Sequence, residues 1–293
     1  MPAELNDERK SLLVFLNEVA GGRKLLQAVR ARQDQVSGVV VASPQNQPSV
    51  GQLIDSDEIR EAARARVEVT MALLGEFGIE SVGEVMDPES SLAVDDAVRA
   101  HRPGEVLLSC LYDTRFGFMR RDLVEWVRER IEPEVKLTHI PVRIEDDAIR
   151  WDLNHTLVVA TKTVASPDLV ARLKDRASIR PHRFTIICPR GEDVSEPQVV
   201  KDLASTLAEL YRADIDATGQ PMSPDPFYAV KNAIEHYRID DILISTFAGE
   251  GSKWLENDLI GRVREITEKS VEHIEVGRNA TTVAAAVAGG EEG

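Results

Sequence analysis

Residues 219–267 read GQPMSPDPFYAVKNAIEHYRIDDILISTFAGEGSKWLENDLIGRVREIT, and this stretch repeats an earlier part of the same chain. Shifted back by 136 positions, it lies without a gap on residues 83–131, and 14 of the 49 paired residues are identical. At an offset of 145, residues 156–189 align in the same way on residues 11–44. The chain is therefore an internal duplication, which sets its domain count and its fold.

The composition is that of a soluble protein with two domains. The chain has 293 residues, more than most single domains, and 43% of them are hydrophobic, which is enough for two cores. Its formal net charge is −15. Nucleic acids and anionic membranes are bound through clustered lysine and arginine, so this charge argues against both as partners. The expected partner is an unidentified protein or a small molecule.

Cysteine usage and the N-terminus point to the cytoplasm. The two cysteines, Cys110 and Cys188, fall one in each copy, so they form neither a disulfide framework nor a zinc-binding spacing. Each ends an apolar run, which is typical of a buried thiol. Residues 1–10 are polar and acidic, unlike a signal peptide, and no apolar run reaches the roughly 18 residues of a membrane span. The sequence predicts a cytoplasmic protein without a metal site.

Apolar runs of strand length alternate with helical patterns in both copies. The runs include SLLVFL at 11–16 and EVLLSCL at 105–111, then LVVAT at 157–161 and DILISTF at 241–247. Such runs, joined by short β-α connections, predict parallel strands covered by helices on both faces. The third strand of the second copy is nearly absent from the pattern, because only ATGQPM precedes Pro224.

The limits of the repeats predict the domain boundaries. The first domain is expected over residues 1–143 and the second over residues 155–276. Residues 144–154, IEDDAIRWDLN, are acidic and turn-like, which is typical of a linker. Residues 277–293 are of low complexity and are predicted to be a disordered tail.

Five β-α units in about 130 residues, with a serine closing the fourth strand and a short final strand, resemble the universal stress protein domain. The resemblance covers residues 11–142 and 155–276 and lies within the wider adenine-nucleotide alpha-hydrolase-like group. It implies an α/β fold of two tandem doubly wound domains, each with a parallel five-stranded sheet in the order 3-2-1-4-5. Some family members bind ATP at the carboxyl ends of strands 1 and 4, where the strand order reverses.

The resemblance also supplies the candidate ligand site. Nucleotide-binding members carry the signature Gly-x-x-Gly-x9-Gly-Ser/Thr after strand 4, where glycines let the backbone approach phosphates. The second domain has the glycine-bearing but differently spaced TFAGEGS at 246–252, whereas CLYDTRFG at 110–117 has no early glycine. The second domain is therefore the candidate for ATP or another adenine nucleotide. Its candidate ligand-binding residues are Thr161, Lys162, Ser245, Thr246, Gly249, Gly251, Ser252 and Lys253, and the first-domain equivalents are Asn17 and Ser109.

Two further pairs of aligned residues allow more than one interpretation. His139 and His273 align on the last strand of each copy, where a shared metal or proton role competes with the commoner structural role. Ser109 and Ser245 close strand 4, where a ligand hydrogen bond and close helix–sheet packing both explain a small hydroxyl residue. Neither serine stands in the glycine context of a nucleophile elbow, so no catalytic residue is assigned.

The resemblance implies a non-enzymatic protein that acts in stress response by binding a partner or a small ligand. The two domains are expected to pack as a pseudo-dimer through their closing strands, at 135–142 and 271–276, because an edge strand has unpaired backbone groups that a neighbour can cover. A homodimer of two chains is the other expected assembly. The alternative is a weak nucleotide-hydrolysing enzyme that uses the second-domain pocket. His155 and His182 are expected at the sheet edge opposite that pocket and are not assigned a catalytic role.

Overall fold

The computed structural model describes residues 9–17, 20, 22–46, 56–87, 90–110, 115–116, 121–131, 133, 135–141, 153–189, 195–222, 225–249, 254 and 257–277. The chain divides into two compact units between Trp151 and Asp152. The predicted linker up to residue 152 and the predicted tail beyond Gly277 lie outside the described residues. The first strand of the second unit begins at Asn154, which the sequence pattern had assigned to the linker.

The first unit is a doubly wound α/β domain. Its elements are β1 (Leu12–Leu16), α1 (Arg23–Arg30), β2 (Val39–Pro44), α2 (Ser56–Gly75), β3 (Ser81–Met86), α3 (Ser90–His101), β4 (Glu105–Cys110), β5 (Arg115–Phe116), β6 (Arg121–Asp122), α4 (Leu123–Arg130) and β7 (Lys136–Pro141). The main sheet is parallel throughout, in the order β3-β2-β1-β4-β7. The strands β5 and β6 form a separate antiparallel ladder between β4 and α4.

The second unit repeats this architecture. Its elements are β8 (Asn154–Val159), α5 (Pro167–Ile179), β9 (His182–Pro189), α6 (Glu196–Arg212), β10 (Asp216–Met222), α7 (Pro226–His236), β11 (Asp241–Phe247), α8 (Leu259–Glu265) and β12 (Ser270–Val276). Its sheet is also parallel, in the order β10-β9-β8-β11-β12. The predicted fold class, two tandem doubly wound domains of order 3-2-1-4-5, is therefore confirmed.

The third strand of the second unit is complete, so the prediction that it is nearly absent is wrong. β10 pairs with β9 along all seven of its residues. Its composition has low strand propensity, but β10 is the edge strand of its sheet, where a proline such as Pro221 is tolerated. Helix α6 holds the strand, because Tyr211 Oη donates a hydrogen bond of 2.6 Å to the Ala217 carbonyl.

The glycine shared by the two copies, Gly83 and Gly219, is required by packing. A Cβ at Gly219 would lie 2.7 Å from Leu203 Cδ1 and 3.1 Å from the Ile186 carbonyl oxygen. A Cβ at Gly83 would lie 2.5 Å from Val67 Cγ1. Helices α2 and α6 therefore approach their edge strands so closely that no side chain fits between them. This repeated glycine is a determinant of the fold and not a ligand-binding feature.

We expect Gly219→Ala to lower the free energy of unfolding by about 1–3 kcal/mol, the usual cost of overpacking a filled site. Part of the close contact is with the backbone of Ile186, so rotation of a side chain cannot relieve it. Gly38→Ala is the matched control, because a Cβ there meets nothing within 4 Å. Urea unfolding measures both variants, and equal stability would show that the close approach at Gly219 is not required.

The central strands β1, β2, β8 and β9 are buried along their whole lengths, which requires cover on both faces of the sheets. In the first unit, one face packs against α3 and α4 in a cluster that includes Phe15, Leu108 and Trp126. Trp126 is therefore a core residue of its own unit. Cys110 and Cys188 are both buried free thiols, which confirms the prediction for them. Among the helices of the described residues, none combines the length and the apolar character that crossing a membrane requires.

Candidate functional site

The candidate site lies at the carboxyl ends of the two central strands of each unit, where the strand order reverses. In the first unit Leu16 pairs with Ser109 at this edge, and the Asn17 N–H donates to the Ser109 carbonyl at 2.9 Å. In the second unit Thr161 follows β8, and Ser245 lies near the end of β11. These predicted residues therefore fall at the switch points of their sheets, where doubly wound folds bind ligands.

Hydroxyl side chains line this edge of the second unit. Thr161 Oγ1 donates to the Pro189 carbonyl at 2.7 Å, and Thr163 Oγ1 donates to the Ser245 carbonyl at 3.1 Å. A threonine hydroxyl has one hydrogen, so these bonds leave only oxygen lone pairs for a ligand. The two threonines therefore present hydrogen-bond acceptors and not donors.

Ser245 is the unsatisfied polar residue of this edge. Its side chain is 1% exposed, and its Oγ forms no hydrogen bond within the described part of the chain. A buried polar atom without a partner costs about 1–3 kcal/mol, so such an atom normally faces a bound water or a ligand. Among the predicted ligand-binding residues, Ser245 is the one with a chemical reason to meet a ligand.

The structure describes some of the other predicted ligand-binding residues of the second unit and not the rest. Lys162 is exposed at the same edge. Gly249 has a φ of 76°, in the left-handed region that favours glycine. The predicted residues Gly251, Ser252 and Lys253 lie outside the described residues. Within the residues that are described, no group of three or more His, Cys, Asp or Glu side chains is placed to hold a metal ion.

The two aligned histidines lie at equivalent places beside the switch points. His273 Nε2 is 2.8 Å from Thr246 Oγ1, and His139 Nε2 is 3.4 Å from Cys110 Sγ. Thr246 and Cys110 correspond to each other in the duplication. Each unit thus places an imidazole next to a hydroxyl or a thiol at the end of its fourth strand. The alignment alone does not reveal this contact, because it joins residues 27 and 29 positions apart.

The two helices that follow the central strands of the second unit already have carboxylates at their N-termini. Asp258 is the N-cap residue of α8, and its Oδ1 accepts a hydrogen bond of 3.2 Å from the Gly261 N–H. Asp168 lies in the first turn of α5 and accepts from the Gly277 N–H at 2.9 Å. Because carboxylates already stabilise these positive helix ends, a phosphate would gain little by binding there.

A buried arginine organises the corresponding edge of the first unit. Arg66, on α2, is 1% exposed; its Nε donates to Ser43 Oγ at 3.0 Å and its Nη2 to Asn46 Oδ1 at 2.9 Å. Asn46 Nδ2 donates in turn to Asn17 Oδ1 at 3.2 Å, and Ser43 Oγ donates to the Leu16 carbonyl at 2.8 Å. The network connects the predicted residue Asn17 to Ser43, Asn46 and Arg66, which the sequence analysis missed.

The position of Arg66 in the sequence nevertheless indicates that it has a special role. It lies three residues after Ala63 and four before Thr70, and both of these are buried on the inward stripe of α2. A charged residue on the apolar stripe of a helix indicates a buried polar partner or a ligand. The asparagines carried no comparable signal, because polar residues after a strand are ordinary loop residues.

The two units carry opposite charges at one equivalent position of this edge. At the offset of 136, Arg66 corresponds to Asp202 on α6. Burial raises the pKa of Asp202 above its ordinary value, although a hydrogen bond of 2.7 Å from Gln198 Nε2 opposes the shift. At this position the first unit therefore carries a guanidinium group and the second a carboxyl group.

The amino edge of the second sheet holds a separate polar cluster around Asp241. This carboxylate accepts hydrogen bonds from Asn154 Nδ2 at 2.7 Å, Thr156 Oγ1 at 2.9 Å and Arg176 Nη1 at 2.6 Å. Burial opposes its ionisation, but these hydrogen bonds outweigh burial and hold the pKa of Asp241 below its ordinary value. Glu272 binds the other terminal nitrogen of Arg176. The cluster joins β8, α5, β11 and β12.

His155 is buried beside this cluster as a neutral imidazole. Its Nδ1 donates to the Arg238 carbonyl at 2.8 Å, and its Nε2 accepts from Thr185 Oγ1 at 2.8 Å. Burial disfavours the imidazolium and repulsion from Arg183 adds to this, so the pKa of His155 falls from 6.5 to about 4. His155 stabilises the fold at the edge opposite the candidate site, where the sequence analysis placed it.

Two tandem doubly wound domains of order 3-2-1-4-5, each with polar residues at its switch point, define the α/β fold of this chain. No family model and no curated protein matches the chain. Among solved structures it is similar to a universal stress protein from Archaeoglobus fulgidus DSM 4304, at 14% identity and a TM-score of 0.34, over 90% of this chain and 96% of that one. It is also similar to a protein of unknown function from Pseudomonas aeruginosa PAO1, at 14% identity and a TM-score of 0.28, over 97% and 98%.

Proposed function

We propose that the protein is a non-enzymatic, tandem universal-stress-like protein that acts in stress response by binding a small ligand or a protein partner. The observation that carries the proposal is the buried Ser245 Oγ, which has no hydrogen-bond partner within the described residues. A ligand that accepts a hydrogen bond from the Ser245 hydroxyl and donates one to a lone pair of Thr161 would satisfy this edge. The proposal includes a cytoplasmic place of action and a pseudo-dimer of the two domains.

An adenine nucleotide is the first ligand to test. Its ribose hydroxyls both accept and donate hydrogen bonds, which suits an edge that offers the Ser245 hydroxyl as a donor and the Thr161 oxygen as an acceptor. Its phosphates fit less well, because Asp168 and Asp258 already occupy the helix N-termini at this edge. We therefore expect the nucleoside part to supply most of the recognition, so adenosine should bind nearly as well as ATP.

The melting temperature of the Ser245→Ala variant, measured with and without ligand, separates an effect on binding from an effect on folding. Removal of a buried hydroxyl without a partner should leave the unliganded melting temperature unchanged or higher. The same change should reduce the shift in melting temperature caused by Mg-ATP or adenosine, because a ligand hydrogen bond is lost. Gly251→Val should abolish the shift. Ser109→Ala, the equivalent change in the first domain, is the matched control and should retain it. No shift in the wild-type protein with either ligand would contradict the proposal.

The alternative is a weak nucleotide-hydrolysing enzyme in the same pocket. The contact of 2.8 Å between Thr246 Oγ1 and His273 Nε2 favours it, because a hydroxyl beside an imidazole is the pairing of a nucleophile or bound water with a base. Phosphate release measured in the same samples decides between the two. Turnover that falls in Ser245→Ala or Lys162→Ala would favour the enzyme, and no turnover across a nucleotide panel would exclude it.

A further inference from the structure

We propose that the outer edge of β3 in the first domain binds an extended, basic segment of a partner protein, which adds to the five-stranded sheet as a further strand. β3 is the outermost strand of that sheet, whereas the switch point lies between β1 and β4. The inference names a binding surface and a class of partner, and it does not depend on the pocket around Ser245. Either proposal can therefore fail without the other.

β3 has backbone groups that are free to pair with an added strand. It pairs with β2 from Ser81 to Met86, and within the described residues β2 is its only strand neighbour. In a parallel sheet, successive residues direct their N–H and C=O groups alternately to the two sides, so about half of these groups face away from β2. β3 contains no proline, so each outward position keeps its N–H group. An edge of this kind can accept an added strand.

One face of β3 is open beside this edge. Side chains alternate between the two faces of a strand, so Gly83 faces one side and Val82 and Glu84 face the other. Helix α2 packs on the side of Gly83, as described above. On the other side, Val82 is 61% exposed, and the Glu84 side chain is 46% exposed although its Oε2 lies 2.8 Å from His101 Nε2. An exposed valine on an edge strand offers an added strand an apolar side chain to pack against.

The equivalent strand of the second domain lacks these features. At the offset of 136, β10 has Gln220 in place of Glu84 and Pro221 in place of Val85. Both residues of β10 are buried, and the proline has no N–H group. Because the two copies have the same strand order, an exposed outer strand with all of its N–H groups is not required by the fold. It is a property of the first domain.

The charges around β3 indicate which kind of segment binds. Residues 80–87, ESVGEVMD, contain three acidic residues, Glu80, Glu84 and Asp87, and no basic residue. All three acidic residues are exposed. Glu80 and Glu84 stand two residues before and two residues after Val82. An added strand with an apolar residue flanked at alternate positions by two basic residues therefore complements this face.

The chain itself does not supply a segment of this chemistry. The four longest stretches beyond the described residues, 1–8, 47–55, 142–152 and 278–293, all have a negative net side-chain charge. Two β3 edges paired with each other would bring like charges together, which is unfavourable across a strand ladder. We therefore assign the edge to a partner protein and not to a tail of this chain or a second copy.

The probe is the peptide Thr-Lys-Thr-Val-Thr-Lys-Thr with blocked termini, titrated into the full-length, ¹⁵N-labelled protein. It places both lysines and the valine on one face of a strand, and its palindromic sequence fits β3 in either direction. We expect saturable shifts of the backbone amide signals of residues 81–86. One control peptide has glutamate in place of both lysines, and another has proline in place of the two threonines beside the valine. Each control should bind about tenfold more weakly or less, because it loses charge complementarity or backbone N–H groups.

Two protein variants test the same causes from the side of β3. Val85→Pro copies Pro221 of β10 and should weaken binding of the lysine peptide by about tenfold, because the edge loses an N–H group. Glu84→Lys should weaken it by about three- to tenfold through charge repulsion. Glu209→Lys in the second domain is the matched control and should bind as the wild-type protein does. Its side chain is 51% exposed and, like that of Glu84, pairs with one basic residue.

The outcomes distinguish the proposal from its competitors. No saturable binding of the lysine peptide, or shifts that omit residues 81–86, would overturn it. Equal binding of the glutamate peptide would contradict a basic partner, and equal binding of the proline peptide would contradict strand addition. Shifts at residues 81–86 that grow with protein concentration alone would assign the edge to a second copy and refute the proposal. The control peptides decide the question even if Val85→Pro fails to fold.

Discussion

Asp241→Ala is expected to lower the free energy of unfolding by about 3 kcal/mol or more, the usual cost of breaking a buried ion pair from one side. The change leaves Arg176 and Asn154 without the carboxylate that accepts their hydrogen bonds at 2.6 and 2.7 Å. The side chains of Arg176 and Asp241 are only 14% and 19% exposed, so water replaces the lost bonds poorly. Urea unfolding at neutral pH measures the loss.

The second domain contains a matched control for this prediction. Lys174 and Glu209 form an ion pair at the same distance, 2.6 Å, but their side chains are 37% and 51% exposed. Glu209→Ala should therefore cost less than about 1 kcal/mol, as is usual for surface pairs. If the two alanine variants lose similar stability, burial of the Asp241 cluster does not determine its strength.

Acidification is expected to destabilise the second domain through His155. The pKa of His155 in the folded protein, about 4, is below its ordinary value of 6.5, so the folded state favours the neutral ring. The contribution of the neutral His155 ring to the free energy of unfolding is fully present above pH 6.5 and is lost as the pH falls toward 4. A shift of this size corresponds to about 3 kcal/mol at most, since one pKa unit is worth about 1.4 kcal/mol.

His155→Gln tests this assignment, because glutamine can still donate to the Arg238 carbonyl but does not titrate. We expect the variant to show a smaller loss of stability than the wild-type protein between pH 6.5 and 4. His182, whose pKa is also lowered by burial, should account for part of the slope that remains. NMR titration of the histidine rings provides the second readout. A His155 ring that titrates near pH 6.5, or an unchanged slope in the variant, would contradict the assignment.

The repeat predicted two α/β domains and the resemblance implied their strand order, but not every strand was predictable from the sequence. The sheets follow from apolar runs that occur twice in the same order, as at 105–111 and 241–247. β10 was missed because Gly219, Gln220 and Pro221 give it no apolar pattern, and tertiary packing against α6 places it. The strand was predicted to be nearly absent because the residues that allow its close contact with the helix do not form a strand pattern in the sequence.

The candidate site was predictable in position and not in its chemistry. Asn17, Ser109, Thr161 and Ser245 all lie at the switch points, because strand ends can be located from the sequence alone. The orientation of Asn17 depends on Arg66, which lies on another element, and no local pattern connects them. The resemblance directed attention to the second domain, whereas the buried hydrogen-bond network of Arg66 belongs to the first.

The proline in the outermost strand of the second sheet affects how neighbouring molecules can associate. An exposed strand edge is a template on which another chain can add a strand, and repeated addition leads to fibrils. β10 pairs with β9 on one side, and at Pro221 it has no N–H group to offer an incoming strand. An unbroken hydrogen-bonded ladder cannot grow past that residue. The same proline that made this strand hard to recognise in the sequence therefore limits strand addition at the β10 edge of the second sheet.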